Sequence, residues 1–163
     1  MISEQIKDVK KFMAELLIKN TFDKFLVADI SITTYNTFHI DGHLQKDFFD
    51  EDEWDELPDQ HLSYWETLRP FCFSLIKGSK TPIRFKMIFA LDKKSIRELL
   101  QFNDTTILEE DINELFLNIK YENNILTYVT GCSLKIFTMD KSLEKAFDKY
   151  ISELTASIAG ISE

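Results

Sequence analysis

The sequence predicts an α+β domain: an antiparallel sheet of about seven strands with two to three packed helices. Apolar residues recur at helical steps over 7–19, 93–101 and 141–158. They alternate with a period of two over 26–40, 82–91 and 115–130. Short turn signals separate the later alternating runs, as antiparallel neighbours require.

Met1–Ile6 is compatible with a short strand, and residues 7–19 follow it as a helix. Ile6, Val9, Met13, Leu16 and Leu17 form its apolar stripe, while Lys7, Lys10 and Lys11 share another face. Leu26, Ala28, Ile30 and Ile32 then alternate, and the parity continues through Phe38 and Ile40. The chain reverses near Tyr35-Asn36 or at Asp41-Gly42, of which Asp-Gly is the stronger hairpin signal. Tyr64–Ile76 and Pro82–Leu91 flank Lys77-Gly78-Ser79-Lys80 and read as a β-hairpin. A short helix over Tyr64–Leu68 is the alternative, because Pro70 would end it. In the second of these strands Ile83, Phe85, Met87, Phe89 and Leu91 face one way and Arg84 and Lys86 the other. Asp92 offers an N-cap for a helix over Lys93–Gln101 with Ile96, Leu99 and Leu100 inward. Asn103–Asn113 reads as a loop or an irregular turn. Three strands follow, Leu115–Tyr121, Ile125–Thr130 and Ser133–Thr138, turning at Glu122-Asn123-Asn124 and near Gly131. Asp140 caps a last helix over Lys141–Ile158, with Leu143, Ala146, Phe147, Tyr150, Ile151 and Leu154 inward and Gly160 at its end.

The 163 residues are 44% hydrophobic, with 14 Phe and 5 Tyr, enough for a single globular domain spanning 1–163 without a disulfide or metal staple. No apolar run approaches the ~20 residues of a membrane span, so no membrane contact is expected. The opening Met1-Ile2-Ser3-Glu4 lacks the basic and apolar regions of a secretory signal. Cys72 and Cys132 have no metal-type spacing and suit a reducing cytoplasm, the expected location.

Charge is concentrated. Asp41, Asp47, Asp50, Glu51, Asp52, Glu53, Asp55, Glu56 and Asp59 share the segment 41–59 with one base, Lys46. Without them the chain's 28 acids and 19 bases fall to 19 against 18. This acidic connecting segment, with one helical turn at 47–53, repels phosphate backbones and attracts basic partners. Phe48-Phe49 and Trp54 are expected to pin it to the body by aromatic burial.

Lys10–Leu17 aligns with Lys93–Leu100 at five of eight positions, and the elements around both allow a strand–helix–three-strand unit used twice. That order, with basic faces on both helices, resembles one domain of the DNA sliding-clamp (processivity-factor) fold. The resemblance implies contact with nucleic acid through Lys7, Lys10, Lys11, Lys93, Lys94 and Arg97. Ser31-Ile32-Thr33-Thr34-Tyr35-Asn36-Thr37-Phe38-His39-Ile40-Asp41-Gly42, together with Leu68-Arg69-Pro70-Phe71, Lys77-Gly78 and Thr81-Pro82, resembles a small uncharacterised protein family of anaerobic Gram-positive bacteria. That likeness implies no assigned activity.

His39, Asp41 and His43 would share one face of an uninterrupted strand, a transition-metal pattern, whereas a turn at Asp41-Gly42 would put His39 and His43 on two strands. Cys132, between Gly131 and Ser133, is the candidate nucleophile if a turn exposes it, although no base or positive field is identifiable. Cys72, between two Phe residues, reads as packing. No Gly-x-Ser-x-Gly elbow or phosphate-binding glycine cluster exists. A wet carboxylate cluster at 50–56 does not raise a pKa as glycosidase chemistry needs. No cofactor and no catalytic residue are therefore expected. The expected function is a non-enzymatic protein-interaction module, with partner contacts through Asp50, Glu51, Asp52, Glu53, Trp54, Asp55 and Glu56, on an exposed sheet edge, or by self-association.

Overall fold

Alternating apolar residues set the sheet. The computed structural model describes residues 1–78 and 80–159. Its seven strands are β1 (Ser3–Ile6), β2 (Leu26–Thr33), β3 (Thr37–Asp41), β4 (Ser63–Tyr64), β5 (Arg84–Ala90), β6 (Ile112–Glu122) and β7 (Ile125–Leu134). All pairings are antiparallel, in the order β1-β7-β6-β5-β2-β3, with β4 continuing the β3 side of β2. The helices are α1 (Val9–Leu17), α2 (Glu51–Glu56), α3 (Trp65–Ile76), α4 (Lys93–Phe102) and α5 (Ser142–Ala159). The α+β prediction holds, with five helices among the described residues where two to three were expected.

Four helices cover one face of the sheet. Phe12 and Leu16 of α1, Trp65 of α3, Ile96 of α4 and Phe147 of α5 join Ile30, Met87, Ile119 and Tyr128 in one core. Those last four residues lie in register across β2, β5, β6 and β7. The other face is largely open, apart from a small second cluster of Leu26, Leu62 and Ala90 with Tyr64 and Phe116.

Several elements differ from expectation. Of the segment 64–76, only Tyr64 is in a strand, and the rest is helix α3 with Pro70 inside it. Trp65, Leu68, Cys72, Leu75 and Ile76 fall at helical steps toward the core. Pro70 removes one helical hydrogen bond and costs about 3 kcal/mol. Burial of the Trp65 ring, whose indole N–H donates to the Leu16 carbonyl at 2.8 Å, offsets it. The expected strand 133–138 does not form, because β7 runs through Gly131 to Leu134, paired along its length with β6. Gly131 is therefore no turn. The Asn123-Asn124 turn is as expected, with φ of 54° and 63°, the left-handed values that Asn tolerates. Strand–helix–strand–strand does occur twice (β1-α1-β2-β3 and β5-α4-β6-β7), without the third strand in the second unit. β5 lies beside β6, whereas β1 crosses the sheet to pair with β7. Gly160, expected to end α5, lies outside the described residues.

The first hairpin reverses at 34–36, where Thr33 pairs with Thr37 and the Thr34 amide donates to the Asn36 carbonyl at 2.9 Å. Asp41-Gly42 is not the turn. Gly42 instead carries the chain past an irregularity at Ala28 of β2, donating its N–H to the Ala28 carbonyl at 3.1 Å. That irregularity also turns Leu26 onto the open face, away from Ile30 and Ile32.

Asp92 caps α4 as expected, one carboxylate oxygen accepting from the Ser95 amide at 2.9 Å. The other accepts from the Tyr64 hydroxyl at 2.8 Å, and Asp92 is only 8% exposed. Asp92→Ala is expected to cost about 2 kcal/mol, and Asp92→Asn distinctly less, because Asn also caps helices. Urea unfolding of the two variants checks this; equal losses would assign the effect to burial rather than capping.

Candidate functional site

After Gly42 the chain leaves the sheet edge and returns along itself. The Leu44 amide donates to the His61 carbonyl at 2.8 Å and the Ser63 amide to the Gly42 carbonyl at 2.9 Å. This two-bond ladder closes residues 45–60 into a lobe. Within it the expected helical turn at 47–53 is split into a 3-10 turn at Lys46–Phe48 and α2. Asp50 starts α2 with a capping box: its carboxylate accepts from the Glu53 amide at 2.8 Å, and Glu53 accepts from the Asp50 amide at 3.2 Å.

The lobe's aromatic residues pack on one another, not on the core as expected. Trp54 stacks on His61 with centroids 4.2 Å apart, and Phe49 tilts against Trp54 at 5.9 Å. Phe48 is 86% exposed. Gln60 donates to the Leu91 carbonyl at 3.0 Å, and Lys93 pairs with Asp59 at 3.3 Å. Eight acids and one lysine give residues 45–60 a charge of -7, against -9 for the whole chain. Asp50, Glu51, Asp52, Glu53, Asp55 and Glu56 are all exposed and Trp54 is half-buried.

At the foot of the lobe, on the open sheet face, lies a pocket of about 340 Å³ lined by Ala28, His43, Leu62, Asn113, Glu114, Phe116 and Ser133. Glu114 stands opposite Ser133 across β6 and β7. Burial pushes the Glu114 carboxyl above the usual range, and only the charge of His43 opposes the shift. His43 is held by Asp41, Nδ1 to Oδ1, at 2.6 Å. Hydrogen bonds from the backbone and side chain of His43 lower the Asp41 carboxyl pKa.

The three metal candidates do not act as one set. His39 bonds to Asp29 on β2 at 2.5 Å, while His43 bonds to Asp41. Among the described residues no three His, Cys, Asp or Glu side chains converge to hold a metal ion.

The basic residues are also divided. Lys7, Lys10, Lys11 and Lys94 are exposed, Lys93 is paired with Asp59, and Arg97 is paired with Glu109 at 2.9 Å. Helix α5 contacts both α1 and α4. Between α4 and α5 runs a second groove of about 340 Å³, floored by Leu91, Leu99 and Ala146 and rimmed by Lys24, Glu98, Lys149 and Glu153.

A family model for a family of unknown function, DUF5721, matches residues 15–157. The chain belongs to DUF5721. Comparison with curated proteins and with solved structures gives no match. The DUF5721 match takes in the lobe, the pocket at its foot and the α4–α5 groove, and leaves out β1.

Neither thiol of this DUF5721 chain is poised for nucleophilic work. Cys132 lies in β7, half-buried, and burial raises its thiol. Cys72 is buried in α3, where burial pushes its thiol up to about 12. Among the described residues no helix is long and apolar enough to cross a membrane. Sequence reasoning found the acidic segment, His43 and Asp41, but missed Glu114. Its one local sign is a charged residue among apolar neighbours at the start of a strand, which is too common to select it.

Proposed function

We propose that this protein is a non-enzymatic interaction module whose acidic lobe docks a basic polypeptide partner. The observation that carries this reading is the lobe itself, a separately closed and capped unit of charge -7 whose acids all face water. Such a surface raises the local concentration of cationic partners and speeds their encounter. Exposed Phe48 adds an aromatic contact next to the charges. The partner is read as a macromolecule because the exposed acids are spread along α2 and its cap. Two free thiols suit a reducing, intracellular setting.

The test replaces Asp50, Asp52 and Asp55 by Asn and Glu51, Glu53 and Glu56 by Gln. Asn and Gln retain both halves of the capping box, so the urea midpoint is expected to stay within error of wild type. Crosslinking in the producing cell should then lose basic proteins that wild type captures. An identical set of crosslinked proteins from both forms would overturn the reading.

The alternative, a clamp-like module touching nucleic acid along α1 and α4, has two of its six cations already engaged by acids. It predicts salt-sensitive retention on DNA that disappears when Lys10, Lys11, Lys93 and Lys94 become Glu.

A further inference from the structure

We infer that the pocket at the foot of the lobe receives the ammonium group of a lysine side chain, with Glu114 as its counter-charge. This rests on reading the lobe as a dock for basic polypeptide, and it names the residue chemistry by which such a partner is anchored. Four observations converge. The pocket shares its lining with the lobe's root, since His43 and Leu62 form the bridge that closes it. A chain drawn to the lobe's charge therefore passes the pocket mouth.

The walls match a lysine. Ala28, Leu62 and Phe116 offer apolar contact for an aliphatic stem, and Phe116 adds a ring to face a cation. The Ser133 hydroxyl and the Asn113 amide oxygen are acceptors beside the carboxylate. Lastly, Glu114 has no hydrogen-bonding or ion-pairing partner among the described residues, although it is half-buried. A carboxylate in that state weakens the fold, and an arriving cation relieves it. One unpaired carboxylate suits the compact ammonium of lysine better than the planar fork of arginine. Asp41, bonded to His43, offsets the charge of the one basic side chain in the pocket lining.

Two probes separate this inference from the lobe reading. Nα-acetyl-lysine methyl ester, followed by NMR, tests the pocket alone. Fluorescently labelled oligolysine, followed by polarisation, tests pocket and lobe together. The ester is expected to shift the amide signals of Glu114, Phe116 and Ser133 in wild type and in the Asn/Gln lobe variant, and not in Glu114→Gln. Oligolysine affinity should fall about tenfold or more in Glu114→Gln, the loss of one charge-assisted contact. The thermal midpoint of Glu114→Gln should hold or rise, because a half-buried amide is less unfavourable than a half-buried unpaired carboxylate. A lowered midpoint would mean that Glu114 is structural, and would overturn the inference. If the ester moves no pocket signal while the lobe variant alone loses oligolysine, the pocket inference falls and the lobe reading stands. If the pocket signals move but the lobe variant binds oligolysine as wild type does, the lobe reading falls instead.

Discussion

Trp65→Ala is expected to lower unfolding free energy by about 3–5 kcal/mol, the largest loss of any single side chain considered. Trp65 is 0% exposed, lies 5.2 Å from Phe89 between ring centroids, and ties α3 to α1 through the Leu16 carbonyl. Removing it empties the centre of the helix layer and leaves that carbonyl unpaired. Domains of this kind have roughly 5–15 kcal/mol in total, so the variant stands close to unfolding at ordinary temperature. It also removes what holds a proline-containing helix in place, so α3 should lose amide protection before the sheet does. Trp65→Phe keeps part of the volume but not the hydrogen bond, and should fall between the two. Denaturant unfolding followed by circular dichroism gives the numbers, and hydrogen exchange gives the order. A loss below about 1 kcal/mol for Trp65→Ala would show that α3 is held by other contacts.

Gly42→Ala is expected to cost about 2–3 kcal/mol and to act on the lobe more than on the rest of the fold. A Cβ at this position would lie 1.7 Å from the Val27 carbonyl oxygen and 2.5 Å from its carbon. Both are backbone atoms of a central strand, so no side-chain rotation relieves the clash. The chain must move off β2, breaking the Gly42 N–H bond to Ala28 and disturbing the ladder that closes the lobe. Hydrogen exchange at the Leu44 and Ser63 amides is the sensitive readout, and unchanged protection there would refute the close approach. Because His43 and Leu62 move with Gly42, the pocket at the foot of the lobe should lose its shape in the same variant.

The regular parts of the molecule were legible wherever periodicity and capping agreed. Asp92 followed by an amphipathic run predicts α4, and Asn123-Asn124 between two alternating runs predicts the β6–β7 hairpin. α3 was not legible in the same way, because Phe71, Cys72 and Phe73 before a turn signal resemble a strand and Pro70 argues against a helix. The structure exposes Phe71 and buries Cys72. Helical spacing from Trp65 to Ile76 is present in the sequence, but only a core that accepts Trp65 gives it priority over the proline.

Gly42 shows the same division. Beside Asp41 it reads as a turn, since conformational freedom is what an isolated glycine signals. Its actual role is to leave space for a carbonyl of another strand, a requirement set by residue 27 and invisible without the pairing. The pocket goes further still, gathering Ala28, His43, Leu62, Glu114 and Ser133 from separate segments.

Local patterns alone thus determined an α+β chain, most of its strands, three of its helices and the place of its negative charge. Those properties depend on neighbours a few residues apart, through hydrogen-bond periodicity, caps and charge density. Tertiary structure decided where the first hairpin turns, whether residues 65–76 coil or extend, and that Glu114 is left half-buried with no partner among the described residues. Each of those outcomes turns on burial against distant residues, and burial is a property of the assembled sheet and helices rather than of any one stretch of chain.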